Sequence, residues 1–332
     1  MPQVSWSEVK LFRKCMKAHD YRYHQRLQKK KPNRSLVKGR ILHEMLDAFI
    51  QSKRWKNYKG PDPWDVLAAY EEEYGRLFIE EQEEYGDMIN DCTQLFENYV
   101  SHYRHDDLTY EESEVFVATD LTDDIRYIGY IDKIAIDGQG RRWAVDHKFV
   151  KNIPTAEDQF SELQLLMYVW AWNRFNPSKQ IDGIIWDYAR TKLPTKPEVL
   201  KSGGLSKRKN IDTTSEVYLQ TIQENDLDPQ DYVDMLELLE GKESQFFERV
   251  KLPRPSSAMI EQIVSDFRGT AIMIQRLKGV APRSMNNFNC KTCEFKALCE
   301  AEVRGLDADF VRKSQYTKRE QMRDEDYGNE ES

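Results

Sequence analysis

Residues 127–151 read YIGYIDKIAIDGQGRRWAVDHKFVK. Two apolar runs rich in β-branched residues flank a DGQG turn, a pattern typical of two antiparallel strands joined as a hairpin. Asp132, Asp146 and Lys148 interrupt these runs at positions where a buried strand usually carries valine or isoleucine. Burying a charge is costly unless it is compensated. The hairpin therefore needs either an internal ion pair or a bound ion.

The length of the turn decides which of these side chains share a face. Asp146 and Lys148 lie two apart on one strand, so they point to the same side of the sheet. Asp132 joins them if the loop has three residues, 138–140, whereas a four-residue loop sends Asp132 to the other face unless a bulge intervenes. The two glycines of the turn favour the three-residue loop, because such loops place a glycine in the left-handed region.

Two carboxylates on one face beside an ammonium form a candidate site for a hard cation. Oxygen ligands suit Mg²⁺ or Mn²⁺. Lys148 cannot bind a metal while it is protonated, but it can orient a water or stabilise developing negative charge. The alternative is a structural salt bridge between Asp146 and Lys148 on an exposed sheet face.

Four short motifs follow one another along the chain. They are Gly39-x-x-x-His43, Gly129-x-x-Asp132, Asp146-x-Lys148 and Gln164-x-x-x-Tyr168. Each occurs often by chance, but all four stand in order on the expected helices and strands. In this order they resemble the RecB-like branch of the PD-(D/E)xK nuclease superfamily. That branch includes the nuclease domains of RecB and AddB, the CRISPR-associated adaptation nucleases and many phage exonucleases.

This resemblance implies phosphodiester hydrolysis assisted by one or two divalent metals. Asp132 and Asp146 would coordinate Mg²⁺ or Mn²⁺, together with His43 and the main-chain carbonyl of His147. Lys148 would position the attacking water. Asp146 stands where some members of the branch have glutamate, and the side chain of His147 has no role in the family pattern.

The same resemblance gives Gln164 and Tyr168 a supporting role. They lie four apart on a predicted helix, so both can face the strand that carries Asp146. In the family this pair supports the substrate or orients the site. Ordinary packing of the helix is the alternative.

Cysteines provide a second point of comparison. Cys290, Cys293 and Cys299 lie close together in the sequence, and Cys15 lies far upstream. This arrangement resembles the iron-sulfur site of the AddB-type and CRISPR-associated members, where four thiolates hold a [4Fe-4S] cluster. Structural Zn²⁺ is the alternative, although its usual signature is two close cysteine pairs. Either metal would tie the two ends of the chain together.

The remaining patterns predict an α/β fold in which helices flank a mixed central sheet, and the resemblance implies a restriction-endonuclease-like core. Six regions are expected: a basic N-terminal region with the first cluster cysteine (1–40), a helical region with His43 (41–114), the core sheet and the Gln164 helix (115–192), a basic loop with a helical insertion (193–260), a C-terminal helix with the iron-sulfur region (261–312) and a disordered tail (313–332).

Charge is distributed very unevenly along the chain. The net charge is -8, yet the segment from Lys10 to Arg40 is strongly basic and the segment from Asp62 to Glu114 strongly acidic. Basic segments of this kind can hold the phosphates of DNA, whereas a solvated basic surface is the alternative. The candidate DNA-binding residues are Arg22, Arg26, Lys29, Lys30, Lys31, Lys207, Arg208 and Lys209. The glycine-containing loop around the last three is expected to be disordered without DNA.

Composition and motifs limit the classes of function that the chain can have. With 39% hydrophobic and 32% charged residues, the chain has the composition of a globular protein, without a membrane-spanning run or a signal peptide, and a cytoplasmic location is expected. It lacks a GxxxxGK[ST] nucleotide-binding segment, so any unwinding of DNA needs a partner such as a helicase. A single-strand-annealing or single-strand-binding protein is another candidate partner.

The leading interpretation is a metal-dependent DNA exonuclease that acts on single strands or duplex ends in recombination, repair or phage DNA metabolism. The alternatives are a CRISPR-adaptation-type end-processing nuclease and a non-catalytic iron-sulfur protein that binds DNA or acts as a scaffold.

Overall fold

The hairpin at residues 127–151 lies at the centre of a six-stranded sheet. The computed structural model describes residues 1–54, 58–155, 157–158 and 163–319. Within these ranges the strands are β1 (Gln3–Ser5), β2 (Leu27–Lys29), β3 (Thr109–Asp120), β4 (Arg126–Ile136), β5 (Arg142–Val150), β6 (Gly183–Arg190), β7 (Phe247–Pro253) and β8 (Tyr316–Lys318). Strands β2 and β8 form a separate antiparallel pair.

Helices surround this sheet. In the described part of the chain the α-helices are α1 (Trp6–Lys14), α2 (Met16–His19), α3 (Arg34–Arg54), α4 (Pro63–Gly75), α5 (Ile79–Tyr85), α6 (Met88–His102), α7 (Gln164–Phe175), α8 (Ser215–Glu224), α9 (Val233–Glu240), α10 (Ser257–Arg276), α11 (Asn287–Lys291), α12 (Lys296–Arg304) and α13 (Ala308–Gln315). A π-helical turn, Asp20–His24, follows α2. No helix in this part of the chain combines the length and the apolar character needed to span a bilayer.

The turn between β4 and β5 has the predicted three residues. The Asp137 N–H donates to the Arg141 carbonyl at 3.0 Å, and the Gly140 N–H donates to the Asp137 carbonyl at 2.9 Å. Gly140 has a φ of 78°, the left-handed conformation that glycine adopts without strain. The Asp137 carboxylate also accepts from the Arg141 N–H at 3.0 Å. These contacts confirm the predicted loop length.

Strand register then brings the two aspartates together. β4 and β5 pair from Ile136 with Arg142 to Lys133 with Val145, so the next position sets Asp132 opposite Asp146. The recorded pairing stops there, and the first residues of β4 pair instead with the parallel strand β1. The hairpin therefore opens at the two carboxylates, because β4 and β5 separate at that point.

The large sheet is mixed. Its order is β1-β4-β5-β6-β7, and β3 pairs along the other edge of β4. β5 and β6 are parallel, whereas β6 and β7 are antiparallel. Helices α1, α7 and α10 pack on one face around Ile134, Ala144 and Ile184. Helices α3 and α6 lie over the opposite face, where Leu46, Tyr99 and Ala189 meet. The predicted α/β class with helices on both sides of a mixed sheet is confirmed.

Two predictions about the chain need correction, and the N-terminal helix is interrupted. Helix α3 begins at Arg34 rather than at residue 41, because the Asn33 side chain accepts from the Ser35 N–H at 2.8 Å and caps it. The N-terminal helix is broken at Cys15, whose φ of -165° is extended. The tail predicted to be disordered from residue 313 instead continues α13 and forms β8, while residues 320–332 lie outside the described part of the chain.

The loop at residues 201–209 is also ordered, contrary to prediction. Leu205 and Ser206 are buried, and Val199 forms a bridge with Leu205. The Leu205 N–H donates to the Tyr232 hydroxyl at 3.0 Å. An apolar side chain within a loop rich in glycine and lysine thus anchors it to the helical insertion.

Candidate active site

Asp132, Asp146 and Lys148 lie together where β4 and β5 separate. The Lys148 ammonium is 2.6 Å from Asp146 Oδ2. Asp132 Oδ2 accepts a hydrogen bond from the His147 main-chain N–H at 3.1 Å. The backbone pairing of β4 with β5 has ended at this point, so the His147 N–H lacks a main-chain partner on β4. The Asp132 side chain takes the place of that partner. One carboxylate holds the main chain and the other pairs with the lysine.

His43 reaches the same place from helix α3. Its Nδ1 lies 3.8 Å from Asp132 Oδ2, and its ring packs edge-on against Phe149 at 5.2 Å. Burial lowers the pKa of His43 to about 4; the charge of Asp146 opposes this shift, and those of Lys133 and Lys148 add to it. The imidazole is therefore neutral at pH 7 and has a lone pair available for a metal.

The electrostatics of Asp132 favour a bound cation. Burial raises the pKa of Asp132 well above its usual range, and the nearby carboxylates of Asp146 and Glu114 raise it further. The His147 N–H and the Lys133 ammonium act in the opposite direction. Two carboxylates held this close in a buried setting repel each other, and a divalent cation between them would remove that repulsion.

The residues of the fourth motif, Gln164 and Tyr168, lie on helix α7. Their position explains the glycine of the second motif. Gln164 Nε2 donates to the Tyr168 hydroxyl at 2.5 Å. A Cβ on Gly129 would lie 2.4 Å from Tyr168 Cε1, closer than any real contact. Gly129 therefore leaves the space in which the Tyr168 ring lies against β4. Burial raises the pKa of Tyr168, as do the charges of Asp146 and Asp132, so the phenol stays protonated.

Gly39, the first residue of the first motif, behaves differently. It lies inside α3, and a Cβ there would meet nothing within 4 Å. The structure shows no steric reason for glycine at this position.

A buried ion pair beside the site was not predicted. The Lys133 ammonium donates to Asp47 Oδ1 at 2.6 Å and to the Ser113 hydroxyl at 3.1 Å. Lys133 is 2% exposed, which is unusual for a lysine unless it is paired. Asp47 lies one helical turn after His43, so this pair fixes α3 against β4. The sequence signal was the lysine next to Asp132, inside an apolar strand.

The donor groups at this site suit a divalent metal, although they are not yet arranged around one. Over the residues that the structure describes, no three His, Cys, Asp or Glu side chains form a ready group of metal ligands. Lys148 lies against Oδ2 of Asp146, so a metal would bind this carboxylate through Oδ1 or displace the ammonium. Two carboxylates are nevertheless the ligand type that Mn²⁺ and Mg²⁺ sites use, and a neutral imidazole favours Mn²⁺ over Mg²⁺.

The four predicted cluster cysteines lie around one cavity. Cys15, Cys290, Cys293 and Cys299 all line a space of about 860 Å³ between the two ends of the chain, and all are free thiols. Six basic side chains and two acidic ones line it as well, and burial raises the pKa of the Cys293 thiol. Cys92, a residue of α6, is wholly buried in the apolar cluster that α6 forms with α3.

The two ends of the chain also pack directly on each other. Tyr21, Phe295 and Tyr316 form a small apolar core with Leu298. The Tyr21 hydroxyl donates to Glu302 at 2.7 Å. The predicted proximity of the N-terminal and C-terminal regions therefore exists through side-chain packing and through the pairing of β2 with β8.

The candidate DNA-binding residues near the N-terminus have partners within the protein. Arg22 pairs with Glu294 and lies over the Phe295 ring. Lys30 Nζ donates to the Lys313 carbonyl at 2.7 Å. Lys31 lies 2.9 Å from Glu81 of the acidic helix α5. Arg26 has a φ of 56°, and Lys29 ends strand β2.

The second basic group lies on the ordered loop. Lys207 Nζ lies over the Tyr232 ring and donates to the Asp231 carbonyl. The Lys209 carbonyl accepts from Lys242, and Arg208 is exposed beside it. The loop therefore presents its basic residues from a fixed backbone.

A mixed sheet with acidic residues, a lysine and a histidine at the point where its central hairpin opens fits a restriction-endonuclease-like nuclease core. Residues 3–300 match the family model of the PD-(D/E)XK nuclease superfamily, and the chain belongs to that superfamily. Membership implies an enzyme that cleaves nucleic acid, with DNA as the substrate, and proteins of this superfamily generally use divalent metals such as Mg²⁺ or Mn²⁺.

Other comparisons add little. No curated protein matches the chain. Among the solved structures similar to it is one described as "Crystal structure of SSO0001", which is 14% identical with a TM-score of 0.31, over 78% of this chain and 96% of that one.

Proposed function

We propose that this nuclease is a metal-dependent DNA exonuclease of the RecB/AddB-like branch, acting on single strands or duplex ends in the cytoplasm during recombination, repair or phage DNA metabolism. The observation that carries the proposal is the meeting of Asp132, Asp146, Lys148 and His43 where β4 and β5 separate. These are the motif residues of that branch, drawn from three separate elements. A scaffold protein would not need to bury two repelling carboxylates.

In this proposal Asp132, Asp146, His43 and the main-chain carbonyl of His147 hold the metal. The bound metal supplies Lewis-acid stabilisation of the phosphoryl oxygens and lowers the pKa of the attacking water. Lys148, whose ammonium lies beside Asp146, would donate a hydrogen bond to that water and orient it.

Gln164 and Tyr168 would orient the substrate. Because Gln164 donates to the Tyr168 hydroxyl oxygen, the phenolic proton remains available to a phosphate oxygen. The high pKa of Tyr168 keeps that proton in place at neutral pH. The fixed ring position that Gly129 allows makes this donor rigid.

The test uses linear and circular DNA side by side. Wild-type protein with Mn²⁺ should shorten end-labelled linear single strands and leave circular single strands intact. Asp146→Asn should lose more than about 100-fold of the activity, since loss of even an outer partner of a metal ligand costs about 10–100-fold. Asp124→Asn, an exposed change in the β3–β4 turn, is the matched control. Equal cleavage of circular strands would show that the protein is an endonuclease rather than an exonuclease. Full activity of Asp146→Asn would show that Asp146 is not part of the active site.

The four cysteines around the cavity are proposed to hold a [4Fe-4S] cluster, with structural Zn²⁺ as the alternative. The support is their convergence on one cavity and its basic lining, which would offset the charge of four thiolates. The Ser284 N–H already lies 3.5 Å from Cys15 Sγ, a contact that a thiolate strengthens. Protein purified without oxygen should be brown and contain iron; colourless protein with stoichiometric zinc would decide for the alternative.

A further inference from the structure

A row of three charged or titratable side chains crosses the sheet directly behind the site. His147 of β5 is in register with Asp187 of β6, and Asp187 is in register with Arg249 of β7. Residues in register share a face, so the three side chains lie on the face opposite Asp146 and Lys148. This row, the His147–Asp187–Arg249 ladder, plays no part in the proposed chemistry.

The ladder is built as a rigid buried network. Asp187 Oδ2 accepts from Arg249 Nε at 2.7 Å and from the Tyr99 hydroxyl at 2.7 Å. Arg249 also donates to Asp106 at 2.6 Å and lies 3.8 Å above the Tyr103 ring. The Asp187 side chain is wholly buried. A buried carboxylate with this many fixed partners has a single orientation.

His147 is the end of the ladder nearest the site. Its side chain is 2% exposed, and Nε2 lies 3.7 Å from Asp187 Oδ2. His147 Nε2 and Asp187 Oδ1 are both buried without a hydrogen-bond partner in the described part of the chain. A small rotation of the ring would let the Nε2–H donate to this carboxylate and satisfy both groups.

Packing alone does not require polar groups here. On the same face of the same two strands, Val145 pairs with Ile185 and Phe149 pairs with Ala189. An apolar pair would therefore fit between them. Burying an imidazole and a carboxylate in the core costs free energy. If these positions only filled space, apolar side chains would do so without that cost.

We propose that the His147 imidazole, which faces the Asp187 carboxylate that Arg249 holds, is a positioning residue that fixes the β5 main chain on which the metal ligands are oriented. The link is the His147 N–H, which holds Asp132 Oδ2 at 3.1 Å. His147 also stands between Asp146 and Lys148, so its ring anchors both neighbours. This inference rests on the proposed metal site, and it gives a role to a side chain that the family motif leaves free.

The experiment measures Mn²⁺ affinity by electron paramagnetic resonance without DNA, thermal unfolding and the separate kcat and KM values. His147→Leu fills the space without the imidazole, and we expect it to lose about 10–100-fold in Mn²⁺ affinity and in kcat, with KM for DNA unchanged. His147→Gln, which restores a donor near the Nε2 position, should recover most of the loss. Val145→Ala, a cavity in the same face of the same strand, should lower the unfolding temperature and leave Mn²⁺ affinity as in the wild type.

Wild-type Mn²⁺ affinity in His147→Leu would overturn the inference and leave His147 as a core residue. If that variant fails to fold, Tyr99→Phe removes only the hydroxyl that holds Asp187, and unchanged Mn²⁺ affinity there overturns it equally. The proposed function fails separately: wild-type protein that binds Mn²⁺ without cleaving DNA contradicts the exonuclease but not the ladder. Wild-type protein that binds no Mn²⁺ contradicts both.

Discussion

At the scale of single residues, the site combines groups that are stable only because of their neighbours. Asp132 carries a raised pKa because it is buried and lies beside Asp146, and Lys133 is buried because Asp47 pairs with it. The motif residues could be found in the sequence because each stands out as a polar residue in an apolar strand or at a fixed helical spacing. Lys133 and Asp187 are also polar residues within apolar strands. The sequence of one strand, however, does not show which distant group will face such a residue.

Substituting Gly129 should damage the site through Tyr168. In Gly129→Ala the new Cβ meets the Tyr168 ring at 2.4 Å, so the ring must move, and such overpacking costs about 1–3 kcal/mol. We expect a lower unfolding temperature and reduced DNA cleavage. Gly39→Ala is the matched control, since its Cβ meets nothing and an alanine in a helix is favoured by about 1 kcal/mol. A fully active Gly129→Ala protein would show that the ring position is not needed.

The raised pKa of Asp132 has a consequence for stability without metal. A carboxyl whose pKa is higher in the folded than in the unfolded state stabilises the fold below the unfolded value, and this contribution is lost as the pH rises through the folded value. Asp132→Asn mimics the protonated form. It should therefore raise the unfolding temperature of the metal-free protein at pH 7–8, and the gain should shrink toward pH 4.

Thermal melts across that pH range, with Asp124→Asn as the control, check this prediction. A wild-type protein that is more stable than Asp132→Asn at pH 8 in the absence of metal would mean that Asp132 is stabilised by its surroundings rather than strained.

At the scale of elements, the hairpin and the helix that follows it were predictable, whereas their partners were not. Alternation and the two turn glycines fixed β4, β5 and the loop length. The strands β1 and β7 were not predicted. β1 has only three residues and β7 has seven without clear alternation, so neither shows the two-residue period of a strand. The ladder joins residues 147, 187 and 249 through the register of three strands, and register between distant segments leaves no mark on any one of them.

The ordered loop at 201–209 carries the predicted DNA-binding residues on a fixed backbone. Replacing Lys207, Arg208 and Lys209 by alanine should weaken DNA binding and reduce the slope of log K against log salt by up to about 2–3, since each phosphate contact contributes about 0.7–0.9. Stability should fall only slightly, because Lys207 loses its contacts with Tyr232 and Asp231 while Leu205 still anchors the loop. An unchanged slope would identify the three residues as solvated surface. Lys31→Ala is a useful comparison, because Glu81 already pairs with that ammonium.

At the scale of the whole molecule, the chain ends close on each other beside a cavity lined by cysteines. The core of Tyr21, Phe295 and Tyr316 and the β2–β8 pair hold the ends together without any metal. Sequence spacing predicted the cysteine set but not the helix break at Cys15. That break depends on packing against residues almost 270 positions away, such as the Pro282 carbonyl that accepts from Lys17 N–H.

Removing one cysteine should abolish the proposed cluster while the chain still folds. Cys290→Ser should lose iron and visible absorption and unfold at a lower temperature, because a metal that binds only the folded chain stabilises it. Far-ultraviolet circular dichroism should still show the folded core. Cys92→Ser, a thiol outside the cavity, should keep its iron. Retention of the colour in Cys290→Ser would exclude this cysteine as a ligand.

The central claim is that Asp132, Asp146 and His43 hold one divalent metal where β4 and β5 separate. Its most direct test is a crystal of the protein soaked in Mn²⁺, with anomalous diffraction recorded at the manganese edge. We expect an anomalous peak within about 2.0–2.6 Å of oxygens from both carboxylates, with the imidazole nitrogen as a further ligand. A peak that contacts neither Asp132 nor Asp146, or no peak beside them at saturating Mn²⁺, would contradict it.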